Sequence, residues 1–249
     1  MNDYKPIVRY NSYVNQINFP SKIGSYVIAD FAAAIHLWLK KRPFDLLTLD
    51  FSSVKYPYSN GMLAIIAAVQ NLKLKGHRIR VVLPIDSDTR RIFRSTNWAY
   101  LLDTQNPKSE STHDRHLVTR QFTDYKDLPA ITNDFMDVVL RNMSIPSEII
   151  SALEWSVYEI CDNVINHSES KIGGFVEVVT FPKQDMISFT VADAGRGILD
   201  SLKEAIPTLR TDAHAIGEAI KAEVTNSAKN TPSIKSRPCP VCGRYGRRH

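Results

Sequence analysis

The 249 residues are 43% hydrophobic and 23% charged, with 10 Gly and 13 Pro, which excludes a collagen-like, wholly disordered or disulfide-stapled chain and leaves room for two small folded domains. The net charge of +5 sits in the tail: from Lys229 onward there are six Lys and Arg and no acid, so residues 1–228 sum to −1 and present no basic face for nucleic acid. An odd count of 3 cysteines, the lack of an apolar stretch after Met1, and the absence of any apolar run near the roughly 18–20 residues of a membrane span place the chain in the cytoplasm, away from membranes.

The first half alternates strand and helix patterns. Residues 28–39 read as a helix and residues 44–51, FDLLTLDF, as a strand. A loop with Pro57 and a Ser59-Asn60-Gly61 turn leads into a helix over 62–74, apolar at Met62, Leu63, Ile65, Ile66, Val69 and Leu72. Gly76 closes that helix, and residues 79–83 form a short strand ended by Pro84, which completes a βαβ unit with a right-handed crossover. Residues 88–102 read as a further helix. Residues 103–117, DTQNPKSESTHDRHL, are polar and nearly free of apolar side chains, so the domain boundary falls there, the alternative being a long surface loop within one domain. The division expected is 1–105, a linker at 106–118, a second domain over 119–228 and a tail over 229–249.

The second half opens with residues 122–143, helical in their later part, and breaks at Pro146. Ser147 then caps a helix over 148–166, whose apolar residues Ile150, Leu153, Val157, Ile160 and Val164 are spaced 3, 4, 3 and 4 apart. Residues 175–181 and 186–192 form a hairpin across Pro-Lys-Gln-Asp, and residues 213–222 a helix.

On the long helix, Glu159, Asn163 and His167 stand at i, i+4 and i+8, within an arc of about 80° beside the apolar stripe. A carboxylate and an amide so placed can orient a water and hold an oxygen-coordinated divalent cation; the plainer alternative is a solvated face with a His at the helix end. Downstream, the second hairpin strand runs into Asp193-Ala194-Gly195-Arg196-Gly197. An acid at a strand end can accept from an exocyclic amine such as that of adenine, and the two glycines let backbone come close to a ligand; a tight turn has the same signature.

EICDNVINH (159–167) followed by VADAGRGI (191–198) resembles the asparagine box and first glycine box of the GHKL ATP-binding superfamily, in the form of the anti-sigma-factor serine kinases. The resemblance covers roughly residues 120–225. It implies a two-layer α/β sandwich, the Bergerat fold, with ATP and Mg²⁺ between helix and sheet. Glu159 would be the general base, Asn163 the magnesium ligand, His167 part of the same nucleotide-binding strip, Asp193 the adenine anchor, and Gly195 and Gly197 the hinge toward the lid. LLTLDFSSVKYPYSNGMLAII (46–66) resembles the strand, loop and helix start of STAS domains, the fold of anti-sigma-factor antagonists, over roughly residues 20–102. There Ser59 matches the phosphoacceptor at the helix N-terminus, with Tyr58 where the family usually has Asp; alternatively Ser59 merely caps the helix.

The glycines after Gly197 are Gly217, Gly243 and Gly246, and none makes a second glycine box. The domain is therefore expected to be incomplete at its C-terminus, without lid or terminal strand. Cys239 and Cys242, with His249, make half of a zinc ribbon; a solvated tail is the alternative. The reading is thus an α/β chain, STAS-like and then partial Bergerat, that binds ATP and Mg²⁺, answers to a protein partner, and acts as a protein serine/threonine kinase or ATPase. The alternatives are a nucleotide sensor or interaction module without turnover, and a degenerate remnant.

Overall fold

In the computed structural model, residues 6–41, 45–109 and 116–219 are described, and they form a mixed α/β structure. The first half contains β1 (Arg9–Asn11), β2 (Gln16–Asn18), β3 (Lys22–Ile23), α1 (Ile28–Lys41), β4 (Leu47–Asp50), β5 (Tyr56–Pro57), α2 (Ser59–Leu74), β6 (Ile79–Val82), α3 (Ser87–Ser95) and α4 (Trp98–Leu102). Strands β2, β4 and β6 run parallel and β1 joins them antiparallel, in the order β1-β2-β4-β6; β3 and β5 form a separate parallel pair. The expected βαβ unit is β4-α2-β6. Leu47, Thr48 and Leu49 are all buried, as a strand covered on both faces requires.

Helix α2 buries Met62, Leu63, Ile65, Ile66, Ala67, Val69 and Leu72, more than one apolar stripe, so it needs cover on more than one side. It packs against α1 and α4 and against two strands of the second half. Its end is a Schellman motif: Gly76, at φ +87°, sends its N–H to Lys73 O at 2.9 Å, and His77 N–H reaches Leu72 O at 3.1 Å. Two local expectations are corrected. Residues 59–61, read as a turn, are the first turn of α2, with Tyr58 in the N-cap position, so Ser59 does not cap the helix. The helix over 88–102 is split in two because Asn97, left-handed at φ +70°, ends one helix and starts another.

The second half contains β7 (His116–Phe122), α5 (Leu128–Asn142), α6 (Ser147–His167), β8 (Gly174–Phe181), β9 (Met186–Asp193), α7 (Gly197–Lys203) and α8 (Asp212–Ala219). Strands β7, β8 and β9 form an antiparallel sheet in that order. The hairpin turns through Pro182–Gln184 with Asp185 at φ +48°. Strand β7, absent from the sequence reading, begins inside the segment expected as a linker. Helix α6 starts one residue early: Pro146 takes the N-cap position and Ser147 makes no capping bond, which corrects its expected role.

Alternation along β8 decides how the halves meet. Val176 and Val178 face α5 and α6, in clusters with Leu128, Phe135, Val157, Cys161 and Val164. Phe175 instead joins the core of the first half, together with Ile172. The register of β7 on β8 shifts between Leu117 and Arg120, and Thr119 N–H goes to Thr96 O at 3.0 Å, a second tie to the first half. Among the described residues no helix is long and apolar enough to cross a membrane.

Candidate functional site

The polar strip on α6 is built by helical spacing. Val157, Cys161 and Val164 are buried, which turns the neighbouring Glu159 and Asn163 toward the rim of the helix. Glu159 is half-buried, and burial, followed by the nearby Asp162 carboxylate, pushes its carboxyl above the usual range. Asn163 is exposed, and its side-chain amide makes no hydrogen bond among the described residues. The residues on either side are engaged: Asn166 Nδ2 donates to Asp162 Oδ2 at 2.7 Å, and Tyr125 Oη donates to Asn166 Oδ1. Glu154, on the buried stripe, has one carboxyl oxygen without a partner, and burial raises its pKa.

Strand β9 delivers Asp193 to the end of this helix. Asp193 Oδ1 accepts from Gly195 N at 2.8 Å, closing a tight turn, and Arg196 N donates to Ser168 O at 2.8 Å. A Cβ on Gly195 would lie 2.0 Å from Ser168 O, so the protein's own backbone already requires this glycine. Gly197 is the opposite case: it is left-handed at φ +76°, with nothing within 4 Å of its would-be Cβ.

Arg196, which the sequence reading left without a role, holds the arrangement together. Its Nε donates to His167 O at 3.2 Å, satisfying a carbonyl at the negative end of α6, and its Nη1 meets Glu169 at 3.3 Å and also Glu204. Nη2 reaches Ser201 Oγ at 3.4 Å on α7. The glycine loop is thereby fastened to the last turn of α6, bringing His167 together with residues 193–197. Glu159 stands eight residues earlier, about 12 Å along the axis, and no hydrogen bond links it to the loop.

Among the described residues no group of three or more His, Cys, Asp or Glu side chains is suited to a metal ion. One free amide oxygen at Asn163 and one carboxylate at Glu159 fit Mg²⁺ only where phosphate oxygens complete its shell, that is, a cation arriving with a nucleotide. A cleft of about 310 Å³ is lined by Asn71 and Lys75 at the end of α2, by Glu169 and Lys171, and by Gly195 and Arg196.

Ser59 does not join this strip: it meets Glu177, which alternates along β8 with Val176 and Val178, the residues that face α6. It is half-buried, and its hydroxyl donates to Glu177 Oε1 at 2.7 Å. Glu177 is only 1% exposed; Trp98 Nε1 donates to its Oε2 at 2.8 Å and Thr119 Oγ1 donates to the same oxygen. Burial nevertheless dominates and pushes its carboxyl up, against the lowering effect of these three donors. The signal for this residue was an acid in the middle of the apolar run GFVEVVTF. Cys239, Cys242, His249 and the segment expected to begin a lid lie outside the described residues.

Compared with family models, curated proteins and solved structures, the chain matches none of them.

Proposed function

We propose that the chain is an ATP-binding regulatory protein, with a STAS-like first half and a partial Bergerat sandwich in the second. Mg-ATP would lie between the Glu159/Asn163 face of α6 and the Asp193–Gly197 loop. The observation that carries this reading is the fastening of that loop to the C-terminal turn of α6 by Arg196 and Ser168, because it joins the strand end that carries Asp193 to the half of the helix that carries the free Asn163 amide. Magnesium, when bound with the nucleotide, would neutralise phosphate charge. Asn163 would hold it, Asp193 would accept from the base amine, and Glu159, its carboxyl raised toward neutrality by burial, would take the proton of an attacking hydroxyl. A protein partner would serve as substrate or regulator.

The second reading, nucleotide sensing without turnover, is favoured by the position of Glu159, about 12 Å along the axis of α6 from the loop-bearing end. Ser59, the hydroxyl expected to accept phosphate, is engaged by Glu177 and half-buried, which argues against its being a phosphoacceptor. Isothermal titration of Mg-ATP tests the site: binding by the wild-type chain that is lost in Asn163→Ala and in Asp193→Asn supports it, and a folded wild type that takes up no ATP overturns it. Phosphate release that disappears in Glu159→Gln while binding persists selects the enzyme; binding without release in either form selects the sensor.

A further inference from the structure

A second cleft, of about 520 Å³, opens between α3 and residues 107–109. Its charged lining is Arg90, Arg91, Arg94 and Lys108, with Ser95 and Ser109 beside them. Since residues 1–228 sum to −1, four cations around one cleft are a local concentration and not a by-product of a basic body.

The walls are fixed. Arg90 Nε donates to Pro84 O at 2.8 Å and its Nη2 to Ile85 O at 3.3 Å, which holds that guanidinium in one orientation. Opposite, Ser109 N donates to Oδ1 of the buried Asn97 at 2.6 Å, pinning the 107–109 segment. The N-terminus of α3 is capped by Asp86, whose Oδ1 accepts from Thr89 N at 2.8 Å. The charges are only slightly compensated: Arg91 meets Asp88 at 3.3 Å with both side chains about four-fifths exposed, a weak pair. Arg94 and Lys108 have no hydrogen-bond or ion-pair partner among the described residues. Pro107 is the one apolar residue in the lining, and no aromatic side chain lines the cleft.

We propose that this cleft binds a small ligand carrying two or more phosphate groups, gripped by Arg94 and Lys108 and flanked by Arg90 and Arg91. Planar guanidinium forks match phosphate oxygens two at a time, and serine hydroxyls donate to the remaining oxygens. The site is separate from the α6 strip and does not rest on the nucleotide reading.

The test is calorimetric titration of the full chain with inorganic tripolyphosphate, in an Asn163→Ala, Asp193→Asn background so that the α6 site does not contribute. Binding that weakens tenfold or more in Arg94→Glu/Lys108→Glu, with the thermal transition unchanged, is the expected result. Should the charge reversals disturb folding, Arg94→Gln/Lys108→Gln gives the same readout with less perturbation. No binding of tripolyphosphate, or equal binding with and without the substitutions, overturns the proposal, the latter by assigning the anion to the basic tail. Tighter displacement by a short oligonucleotide or by polyglutamate than by tripolyphosphate overturns the ligand class.

Discussion

Ser59 Oγ donates to Glu177 Oε1 at 2.7 Å across 118 residues of sequence, joining the first turn of α2 to the middle of β8. With Trp98 and Thr119 donating to the other oxygen, one buried carboxylate collects donors from three elements and locks the helix of one half onto the sheet of the other.

Replacing Glu177 by Ala leaves the Trp98 N–H only its bond to Thr119 Oγ1 at 2.9 Å, and leaves the Ser59 and Thr119 hydroxyls to re-orient. The expected loss is about 2–4 kcal/mol of unfolding free energy, read from urea denaturation. Glu177→Gln keeps one acceptor oxygen and should lose less. Equal stability of Glu177→Ala and wild type would show that the two halves are not held by this contact.

The same carboxyl predicts a pH dependence. Glu154, Glu159 and Glu177 are all pushed above their ordinary values, by burial first. A folded-state pKa above the unfolded one means that the native state binds the proton more tightly, so the stability it contributes is fully present below the unfolded carboxylate value and is lost as pH rises through the folded one. Asp86, lowered by its hydrogen bonds to Thr89, acts in the opposite sense as pH falls. The stability of wild type relative to Glu177→Gln should therefore decline from mildly acidic to neutral pH, measured as urea midpoints; a rise over that range would contradict the assignment.

Gly195 and Gly197 should respond differently to alanine. At Gly195 the new methyl collides with Ser168 O, a backbone atom that cannot turn aside, so Arg196 must leave its bond to the same carbonyl. A loss of about 2–4 kcal/mol and of ATP binding is expected. Gly197→Ala meets open space and suffers only the left-handed backbone, about 1 kcal/mol. Comparing the two melting curves separates packing from strain.

Arg196→Lys keeps the charge and loses the fork that reaches His167 O, Glu169, Glu204 and Ser201. Hydrogen exchange should accelerate at residues 193–197 and at the last turn of α6, while the core of β8 stays protected.

Cys161 lies on the buried face of α6, and burial, followed by the nearby Asp162 carboxylate, pushes its thiol up to about 12. It is protonated and inaccessible at neutral pH. Peptide mapping after iodoacetamide treatment should find Cys161 unmodified in the native chain and alkylated once urea is added.

What the sequence determined by itself was local. Periodicity placed α1, α2, α6 and both hairpin strands to within a few residues, because apolar spacing is a property of the segment that carries it. The order of the Glu159–His167 strip, the hairpin and the Asp193–Gly197 loop was legible for the same reason. Pattern was silent where conformation is set by a distant partner. Strands β1, β2, β3 and β5 span two or three residues, too few for alternation to register. Asn97 breaks a continuous helical pattern because its side chain is tied to Ser109 and Thr119. The tertiary structure alone decided that Glu177 meets Ser59, that Gly195 is needed by Ser168, and that Arg196 is the fastener of the candidate site. A buried carboxylate must find its donors wherever the fold brings them, and across 118 residues no spacing rule reaches.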